Sequence, residues 1–323
     1  MNFYREVATY WIDELEIDGW RLDQAYQIHK NKVNCWNLIV DAVEAKCAER
    51  KAAGKEWGTL GYMVGEIWKG ESDIKTYGYG NEGFNGLESC FDFPMRYNLV
   101  QTLAIEESKN YSDRRGNTSW LANGYSTHSS YPSHAHPNLM LTNHDLVRFG
   151  DLIQRAGLGD KSTATYWSRH RAAFAFMTSY TGPITIYYGD EIGDEVSNDS
   201  RYADDNVSRS NGQISGFDSN QQALHDYVAK LMSIRSSHES LWNGTRKNLL
   251  ASGSQYADLK ESGSDKVLFV MNAGTSDTTI SLGQSSVGGS SLKDLVDSST
   301  VSASGSGYSI AVPALSGRFL QVQ

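Results

Sequence analysis

Five short apolar runs, set apart by segments with helical spacing, constrain this chain more than any other feature. They cover residues 17–23 (IDGWRLD), 61–67 (GYMVGEI), 89–93 (SCFDF), 139–145 (LMLTNHD) and 183–189 (PITIYYG). Helix-like patterns lie between or after them, at Val33 to Ala53, Met95 to Glu107, Ser168 to Thr178 and Gln221 to Ser236. The chain opens on another, with Phe3, Val7, Tyr10, Trp11 and Leu15 near one helical stripe. Strands alternating with helices predict an α/β fold built on a parallel sheet with crossover helices. Polar or charged residues repeatedly close the apolar runs, and strand C-terminal ends are where a (β/α)8 barrel gathers its active site. Five strands of eight predict a partial (β/α)8 TIM barrel over residues 1–243.

Beyond about Gly244 the texture changes. Ser, Gly and Thr dominate, the helical period disappears, and short runs such as KVLFVMNA, TTISLG, YSIAV and GRFLQVQ recur. Residues 244–323 therefore predict a small antiparallel β-sandwich domain. Residues 108–138 form a long polar stretch, of a length that usually carries function or a small subdomain.

Composition narrows the function classes. A net charge of −9 lacks the basic surplus of a nucleic-acid binder. No apolar run approaches the roughly 20 residues that span a bilayer, so no membrane partner is expected. Cys35, Cys47 and Cys90 have no metal-binding spacing; a Cys35–Cys47 pair and free thiols both fit. No signal peptide is visible at Met1, which does not read as a natural beginning, and a secreted or periplasmic location is expected for the complete protein.

Three carboxylates stand out: Asp23 in DGWRLD, Glu66 in VGEIW and Asp145 in TNHD. Each closes a predicted strand of the same sheet, so all three are expected at one barrel mouth. Two carboxyl groups about 5–5.5 Å apart can cleave a glycosidic bond through a covalent intermediate. One must be an ionised nucleophile and the other a protonated acid. Arg21 precedes Asp23 by two residues and so points to the same side of the strand, where a permanent cation favours the ionised carboxylate. Glu66 sits among Val64, Ile67 and Trp68, surroundings that favour the protonated form. Taken alone, a strand-end Asp more often caps a helix; three in order carry more weight.

DGWRLD, GEIW, TNHD and TGPITIYYGDEIG together resemble the ordered motifs of the α-amylase family, glycoside hydrolase family 13. The resemblance implies Asp23 as nucleophile with Arg21 as its partner, Glu66 as general acid/base, His144 as a sugar-binding residue and Asp145 as transition-state stabiliser. It implies that Gly182 to Glu191 form the last barrel strand, so that the five strands are the fourth to eighth. Asp190 and Glu191 become structural. The family's motif on its third strand, with an Asn and a His, has no counterpart here. Its usual Lys-His pair is replaced by Tyr26 and Gln27, and the acidic residue before N-H-D by Thr142. Calcium is commonly held between barrel and inserted subdomain; it is possible in the complete enzyme, while no complete metal site is expected here.

Weaker candidates for substrate contact are Trp68, which could equally pack behind its strand, Tyr26, and the loop residues Arg201, Asp204 and Asp205. His128, His134 and His136 superficially suggest a metal site but are expected to face solvent. The expected function is hydrolysis of α-1,4-glucosidic bonds in an α-glucan such as starch or maltodextrin. Alternatives are a transglycosylase or cyclomaltodextrinase on the same scaffold, a non-catalytic carbohydrate-binding relative, or an inactive fragment. With unpaired sheet edges, the 323-residue chain is expected to show little amylase activity by itself.

Overall fold

The computed structural model describes residues 2–31, 33–81, 83, 86–107, 115–196 and 209–323. They form two compact units, Met1–Pro94 with Tyr125–Asn138, and Met95–Gly124 with Leu139–Gln323.

The first unit opens with α1 (Asn2–Leu15) and β1 (Gly19–Leu22). A small hairpin of β2 (His29–Lys30) and β3 (Val33–Asn34) leads into α2 (Trp36–Ala52). Then come β4 (Tyr62–Gly65), α3 (Glu71–Ile74), a π-helical turn over Lys75–Tyr79, and β5 (Ser89–Cys90). Strands β1, β4 and β5 make a parallel sheet in that order, extended by a parallel bridge from Phe91 to Asn138. The expected strands are therefore present, each shorter than its apolar run, because the last residues of each run leave the ladder. Helix α1 differs from expectation. It packs on α2 through Ala8 and Ile12, while Phe3, Val7, Tyr10, Trp11 and Leu15 remain exposed. The small side chain of Ala8 permits the close approach, and the Trp20 indole donates to the Ala8 carbonyl at 3.1 Å.

Helix α4 (Phe93–Leu103) follows β5, and α5 (Thr118–Thr127) occupies part of the stretch expected to be a polar loop. Its start is anchored where Thr118 donates its hydroxyl to the Gln255 carbonyl at 2.6 Å. In the second unit β6 (Leu139–Met140) and β7 (Ile184–Thr185) pair in parallel. Between them lie α6 (Phe149–Arg155) and α7 (Ala164–Ser179), and α8 (Ser219–Ser237) follows. Asp218 starts α8 with a full capping box, its carboxylate accepting from the amides of Asn220 and Gln221.

From Thr245 the chain is antiparallel β-structure. Strands β8 (Thr245–Ser252), β9 (Gln255–Ser262), β10 (Asp265–Asn272), β11 (Thr278–Gly283), β12 (Ser291–Asp294), β13 (Thr300–Ser302), β14 (Gly307–Val312) and β15 (Ser316–Val322) follow in turn. They form a six-stranded sheet, ordered β13-β12-β15-β10-β9-β8, and a separate β11–β14 pair. Leu268 and Val270 of the large sheet share a core with Ile280, Tyr308 and Ile310 of the pair. The other face carries Tyr256 and Phe269, whose rings pack on Phe176 of α7. Burial on both faces explains why β10 reads as the unbroken apolar run VLFVM.

Candidate active site

In the first unit, the parallel register brings the ends of β1 and β4 side by side, with Leu22 opposite Gly65. Arg21 Nη1 donates to Asp23 Oδ1 at 2.5 Å, from β1 to the turn that follows it. The Asp23 carboxylate is largely exposed, whereas Glu66 is buried. Two hydrogen bonds tie the strand ends together. Glu66 Oε2 accepts from the Gln24 amide at 2.9 Å, and the Glu66 carbonyl accepts from the Ala25 amide at 2.8 Å. Gln24 adopts a left-handed conformation (φ 41°), a strained state that brings these two amides to Glu66. The Glu66 carboxylate is thus anchored on the residue that follows Asp23. Gly65 permits this approach, since a Cβ there would lie 2.5 Å from Leu87 and 3.1 Å from Ala25.

Trp68 stacks on Phe93 with ring centroids 5.7 Å apart and is still about two-fifths exposed (43%), enough to present an edge to solvent. Tyr26 packs against the core beneath β1, with the Lys69 ammonium 5.4 Å from its ring centroid. His128 and His134 differ from the expectation of solvent-facing side chains. His128 Nε2 pairs with the buried Asp92 at 2.7 Å, and His134 Nε2 lies 3.1 Å from the Tyr79 carbonyl oxygen. His136 is exposed. All three cysteines are free thiols. Among the described residues, no group of three or more His, Cys, Asp or Glu side chains is arranged to hold a metal ion.

In the second unit, Asn143 organises the TNHD turn. Its Oδ1 accepts from the amides of Asp145 and Leu146 at 2.8 and 2.9 Å. The Asp145 carboxylate is bracketed by His144 Nε2 at 3.2 Å and Arg209 Nη2 at 3.3 Å, and Arg209 Nε also donates to the His144 carbonyl at 3.2 Å. Neither Asn143 nor Arg209 was singled out from the sequence. For Asn143 the signal was present, as Asn commonly folds its side chain onto amides two and three residues ahead. Arg209 lies in a polar loop where no periodicity marks one cation over another. Arg201, Asp204 and Asp205 lie outside the described residues.

Beneath the TNHD turn, Thr142 Oγ1 lies 2.7 Å from both carboxylate oxygens of Asp190. Arg148 is fully buried, 3.4 Å from Asp190, and its guanidinium lies over the rings of Tyr187 and Tyr188. Burial pushes the Asp190 carboxyl up to about 7, against the opposing pull of Thr142 and Arg148. A pKa raised in the fold has a defined consequence for stability. Below the unfolded value near 4 both states hold the proton; from there to about 7 only the folded state does, so this contribution is lost as pH rises. Asp190→Asn does not titrate. Urea unfolding at pH 5 and pH 8 is expected to show its stability relative to the parent improving by on the order of 2 kcal/mol at the higher pH. A difference that does not change with pH contradicts this.

Parallel strands with crossover helices are followed by a β-rich region, and strand-end carboxylates lie in two clusters. The family model for the α-amylase catalytic domain matches residues 2–234, and the chain belongs to the α-amylase family. It therefore has a (β/α)8-type fold with a C-terminal β-rich domain. It is similar to a crystal structure of an AmyP variant in complex with maltotriose, at 40% identity and a TM-score of 0.92. That likeness covers 100% of this chain and 68% of the other. It is also similar to a cyclomaltodextrinase of Thermoanaerobacter pseudethanolicus, 26% identical over 285 residues, covering 88% of this chain and 42% of that protein. An intracellular maltogenic amylase of Bacillus subtilis is 28% identical over 199 residues, covering 61% of this chain and 28% of the relative. The chain spans about two-fifths of the length of the first curated relatives it matches, 42% and 39%. Among the described residues, no helix is long and apolar enough to cross a membrane.

Proposed function

We propose that the chain carries the carboxylate machinery of a retaining hydrolase of α-1,4-glucosidic bonds in starch or maltodextrins. The observation that carries this reading is the pairing at the ends of β1 and β4: Asp23 held by Arg21, and Glu66 buried and anchored on the Gln24 amide. In this reading Asp23 Oδ attacks the anomeric carbon while Glu66 gives its proton to the glycosidic oxygen. The C–O bond breaks, the shortened glucan leaves, and a glucosyl ester of Asp23 remains. Glu66, now a carboxylate, takes a proton from water; the hydroxide displaces Asp23 and regenerates both groups. Two inversions give net retention. The Arg21 guanidinium, donating to Asp23, holds that carboxylate in place. Asp145, steadied by His144 and Arg209, stabilises the oxocarbenium-like transition state, and Trp68 and Tyr26 offer rings to neighbouring sugars.

The same proposal assigns the five parallel strands to the fourth through eighth positions of the barrel over residues 1–243, with residues 244–323 as a β-sandwich domain. A second reading, a cyclomaltodextrinase or transglycosylase on this scaffold, is favoured by the names of the curated relatives. Incubation with maltoheptaose, starch and β-cyclodextrin tests both. Shortened linear products from the first two, released initially as the α-anomer, are expected. Preferential opening of the cyclic substrate, or products longer than maltoheptaose, would favour the second reading. Initial release of the β-anomer contradicts the proposal.

A further inference from the structure

The segment that carries Arg209 is fixed at the very next residue. Ser210 Oγ donates to Asp194 Oδ2 at 2.5 Å and accepts from Arg148 Nη2 and from the Gly212 amide, each at 3.3 Å. A hydroxyl has one proton to give and two lone pairs to offer, so these three bonds use its whole capacity. The Ser210 carbonyl accepts in addition from the Tyr188 hydroxyl at 2.7 Å.

The partners of Ser210 are themselves firmly held. Arg148 is fully buried and donates through Nη1 to the Tyr188 carbonyl at 2.5 Å. Asp194 closes a turn in which its amide donates to the Gly189 carbonyl at 2.8 Å. Gly189 has φ 88°, and a Cβ there would lie 2.8 Å from Asp194 Cβ and 3.2 Å from Arg148 Nη1. The turn therefore packs against the guanidinium with no room for a side chain. Ser210 is thus tied to a frame built from the segments that follow β6 and β7.

Arg209 needs such a support. Its side chain is nearly half exposed (45%), so burial does not hold it against Asp145 and the His144 carbonyl. Keeping a long exposed side chain in one geometry costs rotamer entropy, and a fixed backbone at its root lowers that cost. We propose that Ser210 is a positioning residue for the reaction. Its hydroxyl pins the backbone that bears Arg209, and Arg209 in turn sets the Asp145 carboxylate. The inference rests on the α-glucan reading above for the role of Asp145. A group that meets transition-state charge loses up to roughly 100-fold in rate when it is misplaced by about 1 Å, so Ser210 would act on turnover through Arg209.

Nitrogen-15 NMR of the arginine Nε–H groups tests the pin without any turnover. The Arg209 signal is the one missing from Arg209→Met. Ser210→Ala is expected to speed its exchange with water by roughly fivefold or more. The signal of Arg96, which donates through Nε to the Leu141 carbonyl from a fully buried side chain, should stay unchanged and so report an intact fold. Ser210→Thr keeps the hydroxyl and should restore the parental exchange. Kinetics with an activated aryl maltotrioside test the consequence. Ser210→Ala should lower kcat about tenfold with KM within about twofold. With Arg209→Met already present, it should lower kcat by less than about twofold. Equal losses in the two backgrounds overturn the role of Ser210 in the reaction. Unchanged exchange of Arg209 in folded Ser210→Ala overturns the pin itself. Neither result touches the α-glucan reading, which fails instead if the parental chain releases the β-anomer first from maltoheptaose.

Discussion

Asp23→Asn is expected to lower the turnover of an activated aryl maltotrioside by roughly 10⁴-fold or more, about 5 kcal/mol of barrier. The amide keeps the shape of the carboxylate and can still accept from Arg21, so the β1 end should hold its geometry. What disappears is the anionic oxygen that forms the covalent bond. An activated leaving group departs without protonation, so slow proton transfer cannot account for the loss. Steady-state kinetics with thermal melting of the same preparation checks this. A folded variant retaining more than about a tenth of parental turnover would remove Asp23 from the reaction.

Glu66→Gln is expected to behave differently, and the difference identifies its role. On starch or maltoheptaose, where the leaving oxygen is basic, the rate should fall by roughly 10²–10⁴-fold. On a substrate with a good leaving group the first step should be nearly unaffected, so that the glucosyl ester accumulates and an initial burst appears. Azide, a nucleophile that needs no general base, should then restore turnover and form an α-glycosyl azide. The side-chain amide introduced by Glu66→Gln can still accept from the Gln24 N–H through its carbonyl oxygen, so the link between the strand ends survives. Equal losses on both substrates, with no effect of azide, would make Glu66 a structural group.

Much of the architecture could be anticipated because its causes are local. The two-residue spacing of Arg21 and Asp23 put them within reach of one another, and apolar runs set between helix-like segments marked all five parallel strands. Tertiary context accounts for what differed. In α1 the packing of Ala8 and Ile12 on α2 decided which face was buried, and the larger apolar stripe stayed exposed. The β2–β3 hairpin is two residues per strand, too short for any period to register. Helix α5 emerged in a polar stretch because its Thr118 end is tied to a strand more than a hundred residues away. The candidate site divides in the same way. Its carboxylates sit at strand ends and announce themselves, whereas Arg209 reaches Asp145 from a loop 64 residues further along the chain.

The central claim is that Asp23 forms a covalent bond to the substrate. Incubating the Glu66→Gln chain with a 5-fluoro maltosyl fluoride, followed by proteolysis and mass spectrometry, tests it directly. The fluoride leaves without an acid, and the ring fluorine slows hydrolysis of the ester. The account predicts one sugar per chain, attached to the peptide containing Asp23 and absent in the Asp23→Asn variant. A label on Asp145 or another carboxylate, or a label that persists without the Asp23 carboxylate, would contradict it.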